Sequence, residues 1–262
     1  MKNANYSPNI DWSHTPSRSL PAKIQRRLTQ WRFAAPAVAS DKSFNVSFTF
    51  DDFPMSAVNG ADIVEAHGGR AGFYACTSMI DTIGPYGEMF NIETMLELDK
   101  RGHEIGAHTH SHIDCALADK AKVLADIAKN LEELKKAGLE QTPTSLAYPF
   151  GETLFDTKKQ VVEQFNLCRG ILPGINVGKV DRAQLRCFEL NGDPSTTLRA
   201  QEAIETAGKT GGWVIIFTHD VSPTPTDYGT TSATLEDLCK RSNDLGANLL
   251  PPTQAAKACG II

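Results

Sequence analysis

At 262 residues and 41% hydrophobic content, the chain can bury one large core without needing a second domain. A net charge of -5 and a pI near 5.8 leave no electrostatic footprint for nucleic acid. No apolar run reaches the roughly 18 residues that span a bilayer, so no transmembrane segment is expected.

Residues 1 to about 20 are polar and turn-rich, with Pro8, Pro16 and Pro21 among them. A short basic amphipathic helix is predicted over 22–32, where Ile24, Leu28 and Trp31 recur at helical spacing between Lys23, Arg26, Arg27 and Arg32. Its apolar stripe is expected to pack on its own domain rather than lie on a membrane. Residues 1–40 are thus read as an N-terminal arm and 41–262 as the main domain. Ala37-Val38-Ala39 has the form of a signal-peptidase site, but the apolar stretch before it is about half a usual hydrophobic region and Pro36 interrupts it. The chain reads as unexported. Six cysteines without C-x-x-C spacing argue against a zinc ribbon or redox dithiol. Buried free thiols in a reducing cytoplasm are the expectation.

From Asn45 onward strand-like and helix-like segments alternate. Strands are predicted at 45–50, 71–76, 104–108, 145–149, 167–171, 186–190, 213–218 and 247–250. Helices are predicted at 56–67, 92–101, 116–137, 156–165, 196–208 and 232–245. The clearest is 116–137, free of Gly and Pro, with Leu117, Val123, Ile127, Leu131 and Leu134 on one stripe and Gly138 as its stop. Such repeated alternation implies an α/β fold built as a parallel barrel of seven or eight strands.

The chemistry concentrates at two places. His108 and His112 are four residues apart, and helical or extended backbone would put both imidazoles on one side. Asp52 can add a carboxylate oxygen, and two His with one Asp leave coordination positions open, as catalytic rather than structural metal sites do. Asp51 stands next door as a candidate base for a metal-bound water. Both carboxylates end the strand-like stretch 45–50, and parallel α/β folds place active sites at that end. A metal-dependent hydrolase follows.

The set resembles the polysaccharide deacetylase family, carbohydrate esterase family four. Thr49-Phe50-Asp51-Asp52 is similar to its first motif and His108-Thr109-His110-Ser111-His112 to its H-[ST]-x-x-H motif. Leu146-Ala147-Tyr148-Pro149-Phe150-Gly151 is similar to its third motif, and Phe217-Thr218-His219 to its last. The resemblance implies a distorted, incomplete (β/α) barrel. It also implies Asp51 as base, Asp52, His108 and His112 as ligands of one divalent ion, zinc above all, and His219 as general acid. The backbone N–H of Phe150 would complete an oxyanion hole, and Phe217 would line the acetyl pocket. Tyr148 and Phe53 are expected at the substrate, Phe53 because it stands where the family usually has Gly. The third-motif Arg is replaced by Ala147, which leaves Arg169 as the candidate to orient Asp51, against an equal reading as a plain surface Arg. No D-x-x-D-W fourth motif is present.

The implied activity is removal of N-acetyl groups, with O-acetyl as a variant, from a sugar or glycan precursor; in class terms, a hydrolase of carbon–nitrogen bonds other than peptide bonds. Two alternatives stay open. A non-haem iron oxygenase would use the same ligand trio but gives no role to Asp51 or His219. A non-catalytic carbohydrate-binding or regulatory barrel is the other.

Overall fold

The computed structural model describes residues 10, 16, 17 and 19–262. In chain order the strands are β1 (Pro36–Ala39), β2 (Phe44–Asp51), β3 (Gly72–Ala75), β4 (Ile83–Gly84), β5 (Gly87–Glu88) and β6 (Glu104–Ala107). They continue with β7 (Ser145–Ala147), β8 (Leu167–Arg169), β9 (Gly178–Asp181), β10 (Phe188–Glu189), β11 (Gly212–Thr218) and β12 (Asn248–Leu249). The helices are α1 (Leu20–Trp31), α2 (Val58–Ala66), α3 (Ile92–Lys100), α4 (Lys120–Lys136), α5 (Phe155–Val161), α6 (Pro194–Thr210), α7 (Ser232–Asp244) and α8 (Pro252–Ala258).

Eight strands make one sheet in the order β10-β11-β2-β3-β6-β7-β8, with β12 on the first half of the β2 edge and β3 on the second. Every pairing in it is parallel. The sheet curls until the segment leading through β10 runs between β8 and β11: the Leu185 N–H donates to Cys168 O and the Leu190 N–H to Phe217 O, both at 2.8 Å. This is the distorted, incomplete barrel that the strand–helix alternation and the resemblance implied.

Strand periodicity sorts the side chains. Val46, Phe48 and Phe50 of β2 join Val214 and Ile216 of β11 in the core beneath the helices. The alternate residues Trp213, Ile215 and Phe217 pack with Leu167 and Leu185 on the concave side, closed from below by Ala255 and Ala256 of α8. Asp51 and Arg169 also lie on that side, since they touch across the three strands that separate β2 from β8. Full burial stabilises each aromatic by about 1.5–3 kcal/mol, and Phe50, Phe53, Phe73 and Phe90 are all fully buried.

Three elements escaped the periodicity: the antiparallel pair β1–β9, the hairpin β4–β5, and α8. Each of their strands has four residues or fewer, too short to show a pattern. The predicted helix 116–137 starts late, at Lys120, because the Asp114 carboxylate accepts from the Ala116 and Leu117 N–H groups and makes a separate turn.

The arm helix α1 forms, but its stripe does not pack as expected. Leu20 and Trp31 are 70% and 72% exposed, and Ile24 and Leu28 are half exposed. Its attachment is polar instead. The Thr29 carbonyl accepts from the buried Lys158 Nζ at 2.7 Å, that Nζ also pairs with Asp181 at 2.8 Å, and Arg26 pairs with Glu152 at 2.8 Å.

Candidate metal and catalytic centre

The site lies at the C-terminal ends of β2, β6, β7, β8 and β11. Six described non-glycine residues have positive φ, and five of them are here: Asp52, Phe53, Thr109, His112 and Phe150. Left-handed backbone at non-glycine residues is strained and needs surrounding structure to hold it, so its concentration here marks a functional site.

At the end of β2 the chain turns through Asp52 (φ 60°) and Phe53 (φ 57°), and the three side chains diverge. Asp51 keeps the concave direction and meets the buried Arg169, whose Nη2 donates to both carboxylate oxygens, at 2.6 Å to Oδ1. The guanidinium also donates from Nη1 to the Gly170 carbonyl at 2.9 Å and lies 4.7 Å from the Phe217 ring centroid. Arg169 is 1% exposed, so the surface reading is wrong and its position beside Asp51 is as expected.

Asp52 swings the other way, to the histidines. Its Oδ1 lies 3.4 Å from His108 Nε2 and 3.3 Å from His112 Nε2, yet makes no hydrogen bond and is out of contact with solvent. Burial alone would raise the Asp52 pKa, but His112, His108 and His219 together outweigh it and hold the carboxyl below its usual range. Burial is likewise the largest effect on His112 and lowers it to about 4, so this imidazole is neutral at pH 7, the form that binds metal. Burial also opposes the charged form of His108, but Asp52 and Asp51 prevail and raise it. A cation at the same place would compete with that proton.

The structure brings the predicted histidine pair together, but through a different backbone from the one the spacing implied. Residues 108–112 are neither helix nor strand; they form a loop with Thr109 at φ 61° and His112 at φ 53°. Asp126 of α4 holds this loop, accepting from the His110 N–H at 2.7 Å, the Ser111 N–H at 2.9 Å and the Ser111 hydroxyl at 2.7 Å. His108 Nδ1 contacts the Ala147 carbonyl at 2.8 Å, which places one proton on Nδ1 and leaves Nε2 facing Asp52 as the nitrogen a cation would take. An unpartnered buried carboxylate oxygen between two imidazole nitrogens fits a divalent cation. Ligand atoms of Asp52, His108 and His112 all lie within 4.8 Å of one another.

His219 follows β11. Its Nε2 is 3.9 Å from Asp52 Oδ2 and its Nδ1 is 3.2 Å from the Tyr228 carbonyl. Asp220 holds the loop that carries Tyr228, accepting from the Thr226 N–H at 2.8 Å and hydroxyl at 2.6 Å. Phe217 lies below, its ring centroid 6.3 Å from that of His219. Phe150, at φ 58°, sets its ring edge-on against His112 at 4.7 Å.

Two expected substrate contacts are elsewhere. Phe53 is fully buried, stacked on Phe90 at 4.7 Å and tilted against Phe73 at 4.8 Å, because its left-handed backbone turns the ring into the core. Tyr148 is also fully buried, packed with Cys115 and Cys168 under β7. Neither ring reaches the cleft. Three residues around the site were not anticipated: Asp126, Tyr228 and Tyr86. Only Tyr86 carries a sequence signal, the turn Gly84-Pro85-Tyr86-Gly87.

The sequence pattern described as polysaccharide deacetylase matches residues 39–168. The chain belongs to the polysaccharide deacetylase family. A probable peptidoglycan-N-acetylglucosamine deacetylase of Arthroderma benhamiae is 27% identical over 126 residues, 45% of this chain and 28% of that protein. A chitin deacetylase of Pestalotiopsis sp is 29% identical over 108 residues, 41% of this chain and 34% of that protein. The matched stretch is thus well under half of either relative. In fold, the chain is similar to a family 4 acetyl xylan esterase from Clostridium thermocellum solved with a cobalt ion. The TM-score is 0.58 at 18% identity, covering 83% of this chain and 92% of that one. The polysaccharide deacetylase match ends at Cys168, so Arg169 and His219 lie beyond it and are placed at the site by the fold.

Proposed function

We propose that this chain is a metal-dependent deacetylase that removes N-acetyl groups from a sugar or glycan precursor. The observation that carries the proposal is the unpartnered Asp52 Oδ1 between two imidazole nitrogens, flanked by the Asp51–Arg169 pair and by His219. Asp52, His108 and His112 would hold one divalent ion, with zinc best suited to nitrogen and carboxylate ligands. When bound, such an ion supplies Lewis acidity toward the acyl carbonyl and acidifies water.

The chain's own residues supply the rest. Asp51 takes the proton of the attacking water. A carboxylate has about four acceptor positions and Arg169 occupies two, so Asp51 keeps lone pairs for that proton while its orientation is held. His219 donates to the leaving nitrogen. With Nδ1–H directed to the Tyr228 carbonyl, the transferable proton sits on Nε2, the nitrogen that faces the Asp52 side. Phe217 forms the floor beside the acetyl methyl, and the Phe150 N–H is the proposed oxyanion donor. An iron oxygenase would share the trio but has no use for an arginine-held second carboxylate. The relatives named as acting on peptidoglycan and chitin support an acetylated glucosamine substrate. Six buried free thiols support a reducing compartment.

Acetate release from a panel of N- and O-acetylated sugars tests the proposal, with the protein stripped by chelator and then reloaded with zinc, cobalt or nickel. Release should vanish on stripping and return on reloading. No release from any acetylated sugar by metal-loaded protein would sink it.

A further inference from the structure

The hairpin β4–β5 stands at the mouth of the site. Its strands pair Ile83 with Glu88 and Gly84 with Gly87, leaving Pro85 and Tyr86 at the tip. Its base is tied to the turn after β2: the Phe90 N–H donates to the Phe53 carbonyl at 3.0 Å, and Met89 bridges to Pro54. The Phe53 and Phe90 rings stack with their planes 2° apart. Phe53, the residue that follows Asp52, thus anchors the base of the hairpin.

That anchor sets Tyr86 against His219. The two rings stack at 4.8 Å with planes 28° apart, while Tyr228 meets both edge-on at 5.9 Å. A five-membered ring held only through Nδ1 can still swing about that contact, carrying Nε2 out of line. A flat ring on its face removes the swing.

We propose that Tyr86 is a positioning residue for His219, its stacked ring keeping Nε2 aimed at the leaving group. The role in proton delivery rests on the deacetylase reading; the ring contact does not.

Tyr86→Phe keeps the ring and Tyr86→Ala removes it. Both variants are assayed, metal-loaded, on an N-acetyl sugar and on an activated aryl acetate, whose leaving group needs no proton. Tyr86→Ala should lose roughly ten- to hundredfold in kcat on the amide, with KM near wild type and the ester little affected. Tyr86→Phe should stay near wild type on both. Loss in Tyr86→Phe equal to that in Tyr86→Ala would overturn the proposal, as would equal loss on ester and amide or no loss in Tyr86→Ala. A second readout needs no turnover: the His219 ring-proton resonances, identified by their absence in His219→Ala. They should move downfield in Tyr86→Ala, as the shielding ring is lost, and stay in place in Tyr86→Phe. Unmoved resonances in Tyr86→Ala overturn the contact itself. A wild-type protein that releases no acetate sinks the deacetylase reading instead, and the resonances then decide the positioning alone.

Discussion

Arg169 and Asp51, 118 positions apart in sequence, form a buried ion pair across the concave side of the sheet, both oxygens of the carboxylate accepting from one guanidinium nitrogen. Desolvation cancels much of the attraction in such a pair, so its formation contributes little net stability, whereas removing one partner strands a buried charge.

Arg169→Ala should therefore destabilise the fold by about 3–5 kcal/mol, read as a lower urea midpoint. Arg169→Lys keeps the charge without the planar fork. It should recover most of that stability while recovering less of the turnover, because an ammonium has no second nitrogen fixed on the Gly170 carbonyl to hold the donor to Asp51 in place. Equal recovery of both would mean that Arg169 acts only by charge.

Metal retention and base function should separate. Asp51→Asn leaves Asp52, His108 and His112 intact, so zinc content by elemental analysis should match wild type while kcat falls roughly a hundred- to ten-thousandfold. His108→Ala should lose the metal. Equal metal content in His108→Ala and wild type would remove His108 from the ligand set.

His219→Ala should slow hydrolysis of an N-acetyl sugar far more than that of an activated aryl acetate, because an aryloxide leaves without a proton. With metal content checked in the same preparations, an equal slowing on both substrates would assign His219 to binding rather than to proton donation.

In metal-free protein, His112 should make stability depend on pH. Its pKa falls from an ordinary 6.5 to about 4 in the fold, so between those values the unfolded chain binds the extra proton. Its contribution is present above 6.5, is lost as pH falls through that window, and amounts to about 3 kcal/mol by the size of the shift. Denaturation of His112→Asn across pH 4 to 7 should show a shallower slope than wild type. An unchanged slope would mean that His112 is not held neutral by burial.

The sequence by itself determined the strand–helix alternation of the main sheet and the positions of Asp51, Asp52, His108 and His219 at or just past its strand ends. Those features are local: alternation every second residue and helical spacing are written within a few positions of each other. Only the tertiary structure decided which side chains meet. Arg169 was one of two open readings until the curl of the sheet brought β8 against Asp51. Phe53 and Tyr148 were expected at the substrate, but the backbone after β2 and the packing under β7 turned both rings into the core. His108 and His112 converge through a left-handed loop that Asp126 braces from another helix, and Tyr86 reaches His219 only because Phe53 and Phe90 anchor its hairpin. Positive φ at five non-glycine residues is held by contacts distant in sequence, and no local pattern records a contact of that kind.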